Sequence, residues 1–195
     1  TGNPKGVLYS HRSITLHALA AGLSGSMNLS AFDAVMPASS LYHVNGWGMP
    51  FAAAMNGCKV VLPCDRMDGP SLHELISAEG VTMSAGVPTI WNSYLAHLEA
   101  TGSDSGPLQR VLVGGSALST AMVNAFKAHG VRAVHALGMT ETSPLIVVAT
   151  PTPGLLAQGA EHAAQVLATR QGRPMFGIEL SIRDEQGLDL PWDGK

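Results

Sequence analysis

The chain has 195 residues, 46% of them hydrophobic and 13% charged, with a net charge of −3. That length supports one domain with a substantial core, and the low charge content fits a buried α/β sheet or a piece of a larger protein. A negative balance without a Lys/Arg cluster argues against nucleic acid as a partner, and no apolar run approaches the ~20 residues of a membrane span.

The first segment, Thr1-Gly2-Asn3-Pro4-Lys5-Gly6-Val7, reads as an anion-holding loop. Two glycines and a proline favour a tight turn whose backbone N–H groups face one anion; Lys5 adds a movable positive charge and Thr1 a hydroxyl. It is not a Walker-type loop, because no Gly-Lys-Ser/Thr follows at the required spacing. Taken alone, Gly-x-x-Lys-Gly also describes an ordinary surface turn. Further on, short apolar runs alternate with amphipathic stretches, the rhythm of an α/β sheet. Ala34–Met36 is the first predicted strand. Lys59–Leu62 is the next, flanked by Cys58 and Cys64, whose separation is poor for metal and fits two reduced thiols beside a buried strand in a cytosolic protein. A helix is predicted from Pro70, a first-turn residue, to Gly80 at its end, followed by a strand over Val81–Ser84. The helix after Pro88 carries Ile90, Trp91, Tyr94, Leu95 and Leu98 as a core stripe.

Arg110–Val113 is a predicted strand that runs directly into Gly114-Gly115-Ser116-Ala117. Small residues at a strand end permit close backbone approach, although a tight strand-to-helix turn explains the glycines equally well. Ser119 is placed to cap a helix running through Met122, Val123 and Phe126 to Gly130, before a strand over Val131–His135. Leu137-Gly138-Met139-Thr140-Glu141-Thr142 then offers a hydroxyl and a carboxylate suited to a metal, or simply the start of a helix. The rhythm breaks after Pro144. Pro151, Pro153 and Gly154 mark a loop, Ala160–Thr169 a helix. Gly177–Arg183 and Leu188–Leu190, separated by Asp184-Glu185-Gln186-Gly187, read as a strand, turn and strand from an adjoining subdomain.

Taken in order, TGNPKGVLYSHRS, LYHVNGWGMPFAAAMNGCKVVLP, SAGVPTIW, VGGSAL, GMTETSPL and GRPMFGIELSIRDEQGLDLPWDGK resemble the acyl-CoA synthetases of the adenylate-forming superfamily. The resemblance covers essentially the whole chain. It implies the large N-terminal domain of such an enzyme, a mostly parallel sheet flanked by helices with a C-terminal β-hairpin. It further implies an internal fragment: residues 1–195 as a partial AMP-binding domain, a subdomain break near 150–176, and a missing start and missing small C-terminal domain. Alone, such a fragment is expected to be inactive.

The activity so implied converts a carboxylic acid, ATP and CoA into acyl-adenylate and then acyl-CoA with Mg²⁺. By resemblance Thr1, Gly2, Lys5 and Gly6 hold the β- and γ-phosphates and the departing pyrophosphate. Thr140 bonds the α-phosphate, Glu141 holds Mg²⁺, and Gly114, Gly115, Ser116, Leu137, Gly138 and Met139 surround the nucleotide, with Gly115 also reaching the acyl pocket. Leu137 departs from the family's usual Tyr or Trp, which stacks on adenine; leucine keeps an apolar plate but forgoes an aromatic pairing worth about 0.5–1.5 kcal/mol. His43 and Trp47 correspond to residues near the reacting carboxylate and at the mouth of the acyl tunnel, against the plainer reading of a capping His and a core Trp. His11, His17, His73, His97, His129, His135 and His162 form no i,i+4 metal pair and carry no expected role. The HVNGWG segment leans toward medium- or long-chain aliphatic acids. The alternatives are an adenylating enzyme that loads a carrier protein or takes another acid class, and a nucleotide-binding module without catalysis.

Overall fold

The computed structural model describes Asn3 and residues 5–191. Its elements run α1 (His11–Gly22), β1 (Ala34–Ala38), α2 (Val44–Trp47), α3 (Met49–Asn56), β2 (Lys59–Val60), α4 (Gly69–Glu79), β3 (Met83–Gly86) and α5 (Pro88–Thr101). They continue β4 (Arg110–Val113), α6 (Thr120–Ala128), β5 (Arg132–Gly138), β6 (Leu145–Val148), α7 (Pro153–Leu156), α8 (Ala160–Thr169) and β7 (Arg173–Pro174). The strands form one sheet in the order β2-β1-β3-β4-β5-β6-β7. The pairs β2-β1, β1-β3, β3-β4 and β4-β5 are parallel, whereas β6 and β7 close the far edge antiparallel. Among the described residues no helix is long and apolar enough to cross a membrane.

Successive strand residues feed opposite faces, as a parallel sheet buried on both sides requires. Val35, Met83, Leu112 and Val134 join Ala18, Ala21, Met49 and Ala52 of α1 and α3 on one face. Met36, Val111 and Val113 join Leu72, Trp91, Tyr94 and Phe126 of α4, α5 and α6 on the other. The predicted Trp91–Tyr94–Leu98 stripe is therefore core. The expected helix punctuation is present: Ser119 Oγ accepts from Met122 N–H at 3.2 Å, and Gly80 ends α4 with φ 68.

Several elements differ from the sequence expectation. α1 and α3 occupy stretches left without a helix, because their alanine-rich inner faces give a weak apolar period. β6 occupies the stretch after Pro144 and reverses the sheet direction there. β2 is shorter than Lys59–Leu62 and exposed rather than buried. As an edge strand it has only β1 beside it, and Lys59 reaches solvent to pair with Glu79 at 2.6 Å. Both cysteines are free thiols, as expected. The C-terminal hairpin is reduced to a turn and one bridge between Arg183 and Asp189, since Ile182, Leu188 and Leu190 are exposed and bury nothing.

Where the parallel strands begin, a charged pair is buried. Arg110 Nη2 lies 2.9 Å from Asp33 Oδ1. Asp33 also accepts from Thr82 Oγ1 at 2.7 Å and from Ser30 N–H at 2.9 Å, while Arg110 donates to the carbonyls of Met27 at 3.1 Å and Asn28 at 2.8 Å. Burial alone raises the Asp33 carboxyl pKa, but its hydrogen bonds and the Arg110 charge outweigh this and hold it below the ordinary value. Asp33→Ala strands the guanidinium and should destabilise the chain by about 3–5 kcal/mol. The Asp33→Ala/Arg110→Met double variant should lose less than the sum of the single losses. Urea unfolding midpoints measure both. A loss of about 1 kcal/mol or less for Asp33→Ala, the size seen for exposed pairs, would mean that the pair does not hold these strands.

Candidate active site

The strands deliver their carboxyl ends to one side of the sheet, where α/β proteins gather ligand-binding loops. Here a cavity of about 50 Å³ is lined by His43, Val44, Trp47, Gly114, Gly115, Ala136, Gly138, Pro144 and Leu145. Five residues expected at the site thus meet although they come from three distant segments. Glycine is needed for that meeting. A Cβ on Gly114 would sit 2.9 Å from the Ala136 carbonyl oxygen and 3.3 Å from the Trp47 indole, and one on Gly138 would collide with the Pro144 carbonyl. Trp47 is buried against this glycine shelf, so it is at once a core residue and a cavity wall. His43 occupies the cap position of α2, but its side chain makes no capping bond and stays exposed at the cavity. The capping reading of His43 does not hold.

The wall bearing these two residues has an uncommon backbone. Val44, Asn45, Gly46, Trp47 and Gly48 all have positive φ, between 48 and 70, so α2 is a left-handed turn. Such a conformation costs roughly 1–2 kcal/mol per non-glycine residue. The packing of Trp47 on the shelf compensates part of it.

Thr140 and Glu141 sit on a 3₁₀ turn, Thr140–Thr142, between β5 and β6. Glu141 is exposed and has no ion-pair partner among the described residues. The turn is held by neutral groups. Thr142 Oγ1 accepts from Met139 N–H at 2.9 Å and lies against the Pro144 carbonyl. Tyr9 donates its phenol hydrogen to the Thr140 carbonyl, joining this turn to the segment that follows Lys5. Burial and the nearby Glu141 charge raise the Tyr9 pKa, which keeps the phenol a donor. From behind, the buried His17 accepts from Leu145 N–H on Nε2 at 3.1 Å, and its ring fills the space over Gly48. Burial lowers the His17 pKa to about 4, so the imidazole is neutral near pH 7.

The remaining expected residues that the structure describes do not line this cavity. Leu137 and Ser116 are exposed and do not line the cavity; Met139 contributes its backbone N–H to the turn. Lys5 and Gly6 are exposed, and no atom lies within 4 Å of a Cβ built on Gly6, which leaves room for a ligand. Thr1 and Gly2 fall outside the described residues. Tyr9, His17 and Thr142 were not foreseen. A tyrosine four residues after the lysine and a histidine within an apolar helix face are their only sequence signals. Among the described residues no three metal-ligating side chains cluster, so a cation here would rest on Glu141 with non-protein ligands.

The chain belongs to the family of AMP-binding enzymes, whose profile matches residues 1–195. It is 45% identical over its whole length to the medium-chain-fatty-acid–CoA ligase of Ectopseudomonas oleovorans and to the 3-methylmercaptopropionyl-CoA ligase of Ruegeria lacuscaerulensis, spanning 36% of each. Among solved structures, O-succinylbenzoate coenzyme A synthetase from Bacillus subtilis, in complex with ATP and magnesium ion, superposes with a TM-score of 0.77 at 25% identity. That match covers 98% of this chain and 37% of the other.

The depressed His17 pKa sets a pH dependence. Its folded value of about 4 lies below the ordinary 6.5, so the unfolded chain binds the proton first. Stability owed to neutral His17 is therefore complete above about pH 6.5 and is lost as the pH falls toward about 4. The loss grows by up to about 1.4 kcal/mol per pH unit across that window. His17→Gln keeps an acceptor for Leu145 N–H without titrating. Between pH 7 and pH 5 the urea midpoint of the native chain should fall further than that of His17→Gln. Equal falls would exclude His17 as the source.

Proposed function

We propose that this chain carries the acid- and nucleotide-handling core of an ATP-dependent acyl-CoA synthetase acting on aliphatic carboxylic acids. The observation that carries the reading is one juxtaposition. An apolar cavity under Trp47 and Gly114 adjoins a turn bearing the exposed carboxylate of Glu141, and Tyr9 ties that turn to the segment holding Lys5. An aliphatic tail, a cation and a polyphosphate thus each have a complementary group within one site.

In this reading the acid carboxylate attacks the α-phosphorus of ATP, and the P–O bond to pyrophosphate breaks. CoA thiol then displaces AMP from the acyl-adenylate. Repulsion between carboxylate and phosphates is the main obstacle, so alignment and charge neutralisation are the protein's task. Lys5 and Gly6, with Thr1 and Gly2, hold the β- and γ-phosphates and the leaving pyrophosphate. The Thr140 hydroxyl bonds the α-phosphate, while Gly114, Gly115, Ser116, Leu137, Gly138 and Met139 border the nucleotide. Glu141 would hold Mg²⁺, which supplies further neutralisation of phosphate charge when bound. His43 and Trp47, with Gly115, border the acid. The named partners of the relatives, and the ATP and magnesium ion of the Bacillus protein, support these assignments. The free thiols Cys58 and Cys64 fit a reducing compartment such as the cytoplasm. The loss of sheet pairing after β7 supports an adjoining subdomain from about residue 177, its boundary at the end of the 150–176 stretch.

The acid itself has two readings. The medium-chain relative favours a fatty acid, whereas the small cavity and the equally similar 3-methylmercaptopropionyl-CoA ligase favour a short chain. In the protein that carries this segment, Trp47→Ala should raise kcat/KM for longer straight-chain acids relative to short ones. Each methylene newly admitted is worth roughly 0.8 kcal/mol. A uniform fall across the acid series, with a lower melting temperature, would leave Trp47 a core residue only.

Lys5→Ala and Glu141→Ala should each lower acyl-adenylate formation about 10²–10³-fold, the usual effect of removing one group that stabilises transition-state charge. Both side chains are exposed, so the melting temperature should stay unchanged. Acid-dependent pyrophosphate release and trapping of the adenylate by hydroxylamine provide the measurements. Full activity of Glu141→Ala at limiting Mg²⁺ would remove Glu141 from the metal site.

A further inference from the structure

One stretch of chain grips the segment that carries Thr140 and Glu141 at both of its ends. α1 is capped by the Ser10 hydroxyl, which accepts from Ser13 N–H at 3.0 Å. Tyr9, the residue before that cap, donates to the Thr140 carbonyl. Further along α1, His17 Nε2 accepts from Leu145 N–H at 3.1 Å. The seam between the two contacts is tight. The gap left among Tyr9, His17, Asn45 and Pro144 is about 10 Å³, no more than one water would fill.

Of the two contacts, the one from Tyr9 falls on the peptide that joins the two residues expected to meet phosphate and metal. A trans peptide is planar, so its carbonyl and the following N–H point in opposite directions. The Thr140 carbonyl and the Glu141 N–H share one such plane. Fixing the carbonyl constrains the plane, and with it the directions in which both side chains leave the backbone. The other bonds of the turn belong to Thr142, whose N–H donates to the Met139 carbonyl at 3.0 Å and whose hydroxyl accepts from Met139 N–H at 2.9 Å. They close the base of the turn and do not reach the Thr140–Glu141 peptide. Tyr9 itself is half-buried, and burial together with the Glu141 charge raises its pKa above 10.0, so the phenol keeps the hydrogen it donates.

We propose that Tyr9 is a positioning residue for adenylate formation. Its phenol sets the Thr140–Glu141 peptide relative to the Lys5 segment, so that the group serving pyrophosphate and the group serving the cation act on one ATP in one geometry. The inference rests on the activity proposed above and adds to it a residue that touches neither phosphate nor metal. Donors and ligands that need not move when charge moves are the most effective ones, and a neutral link fixes them without adding a charge of its own. A link of this kind also makes the two ends cooperative. Phosphate bound at Lys5 favours the turn that holds Mg²⁺, and Mg²⁺ favours phosphate by the same factor.

Tyr9→Phe, made in the protein that carries this segment, removes the hydrogen bond and keeps the ring. The kcat of acid-dependent pyrophosphate release should fall about 10-fold, between the loss of one neutral hydrogen bond and the ~100-fold cost of a displaced reacting group. The KM for the acid should stay unchanged, and the Mg²⁺ concentration giving half the maximal rate should rise. With Glu141→Ala already in place, Tyr9→Phe should cost clearly less than it does alone, since the two act through one peptide. p-Aminophenylalanine at position 9 restores a donor at the ring tip and should recover most of kcat, also where Tyr9→Phe lowers the melting temperature. A ring that only fills space gives other results: native kcat in Tyr9→Phe, additive losses with Glu141→Ala, or no recovery with the amino ring. Any of these in an active protein overturns the inference alone. No acid-dependent pyrophosphate release from the native protein would overturn the underlying activity, and this inference with it.

Discussion

The ion pair between Asp33 and Arg110 is the constraint on which the rest of the molecule turns. It lies where β1 and β4 begin, and through Thr82, Ser30, Met27 and Asn28 it also fixes the start of β3 and the connection from α1. A buried pair of this kind adds little net stability over well-packed apolar groups, but it tolerates few alternative partners. Its effect here is on register. Strands aligned at their starts are aligned at their ends, and that alignment brings Gly114 level with Ala136 and sets Trp47 across both. A slip of one residue would turn core side chains outward and break the glycine shelf.

At the opposite edge the division of labour is electrostatic. The groups that hold the Thr140–Thr142 turn are neutral: the Tyr9 phenol, the Thr142 hydroxyl and the His17 imidazole. The groups able to meet charge, Lys5 and Glu141, are exposed and have no ion-pair partner among the described residues. Neutral scaffolding leaves the lysine available to an anion and the carboxylate available to a cation. Polar groups already in position also need not reorganise when charge moves between oxygens, which is where fixed dipoles are most effective. His17 fits this role only while deprotonated, since an imidazolium would have no lone pair for Leu145 N–H.

How much of this could be read from the chain follows from what each feature leaves in sequence. The helices α4, α5 and α6 were legible because Pro70, Gly80, Pro88 and Ser119 punctuate strong apolar stripes. The α1 and α3 helices were not, because alanine supplies burial without periodic contrast. The direction of β6 was hidden, since apolar runs such as Leu145–Val148 look alike in parallel and antiparallel neighbours. Gly114, Gly138, Thr140 and Glu141 were visible as residues of motifs, the two glycines because the local backbone depends on them. Tyr9 and His17 were silent because their partners, Thr140 and Leu145, lie more than a hundred residues away.

The left-handed turn at Val44–Gly48 has a consequence for how such a site diversifies. Right-handed or extended backbone accepts most side chains, so volume there is adjusted by ordinary substitution. At Val44, Asn45 and Trp47 every exchange is filtered by a backbone that disfavours all residues with a Cβ, and branched ones most. The cavity therefore has one conservative wall and one permissive wall. Variation that re-tailors the pocket has its easiest route through Ala136 and Leu145, whose backbone is not left-handed, while the turn opposite is inherited as a block. Divergent relatives would then share the wall around Trp47 and differ across from it.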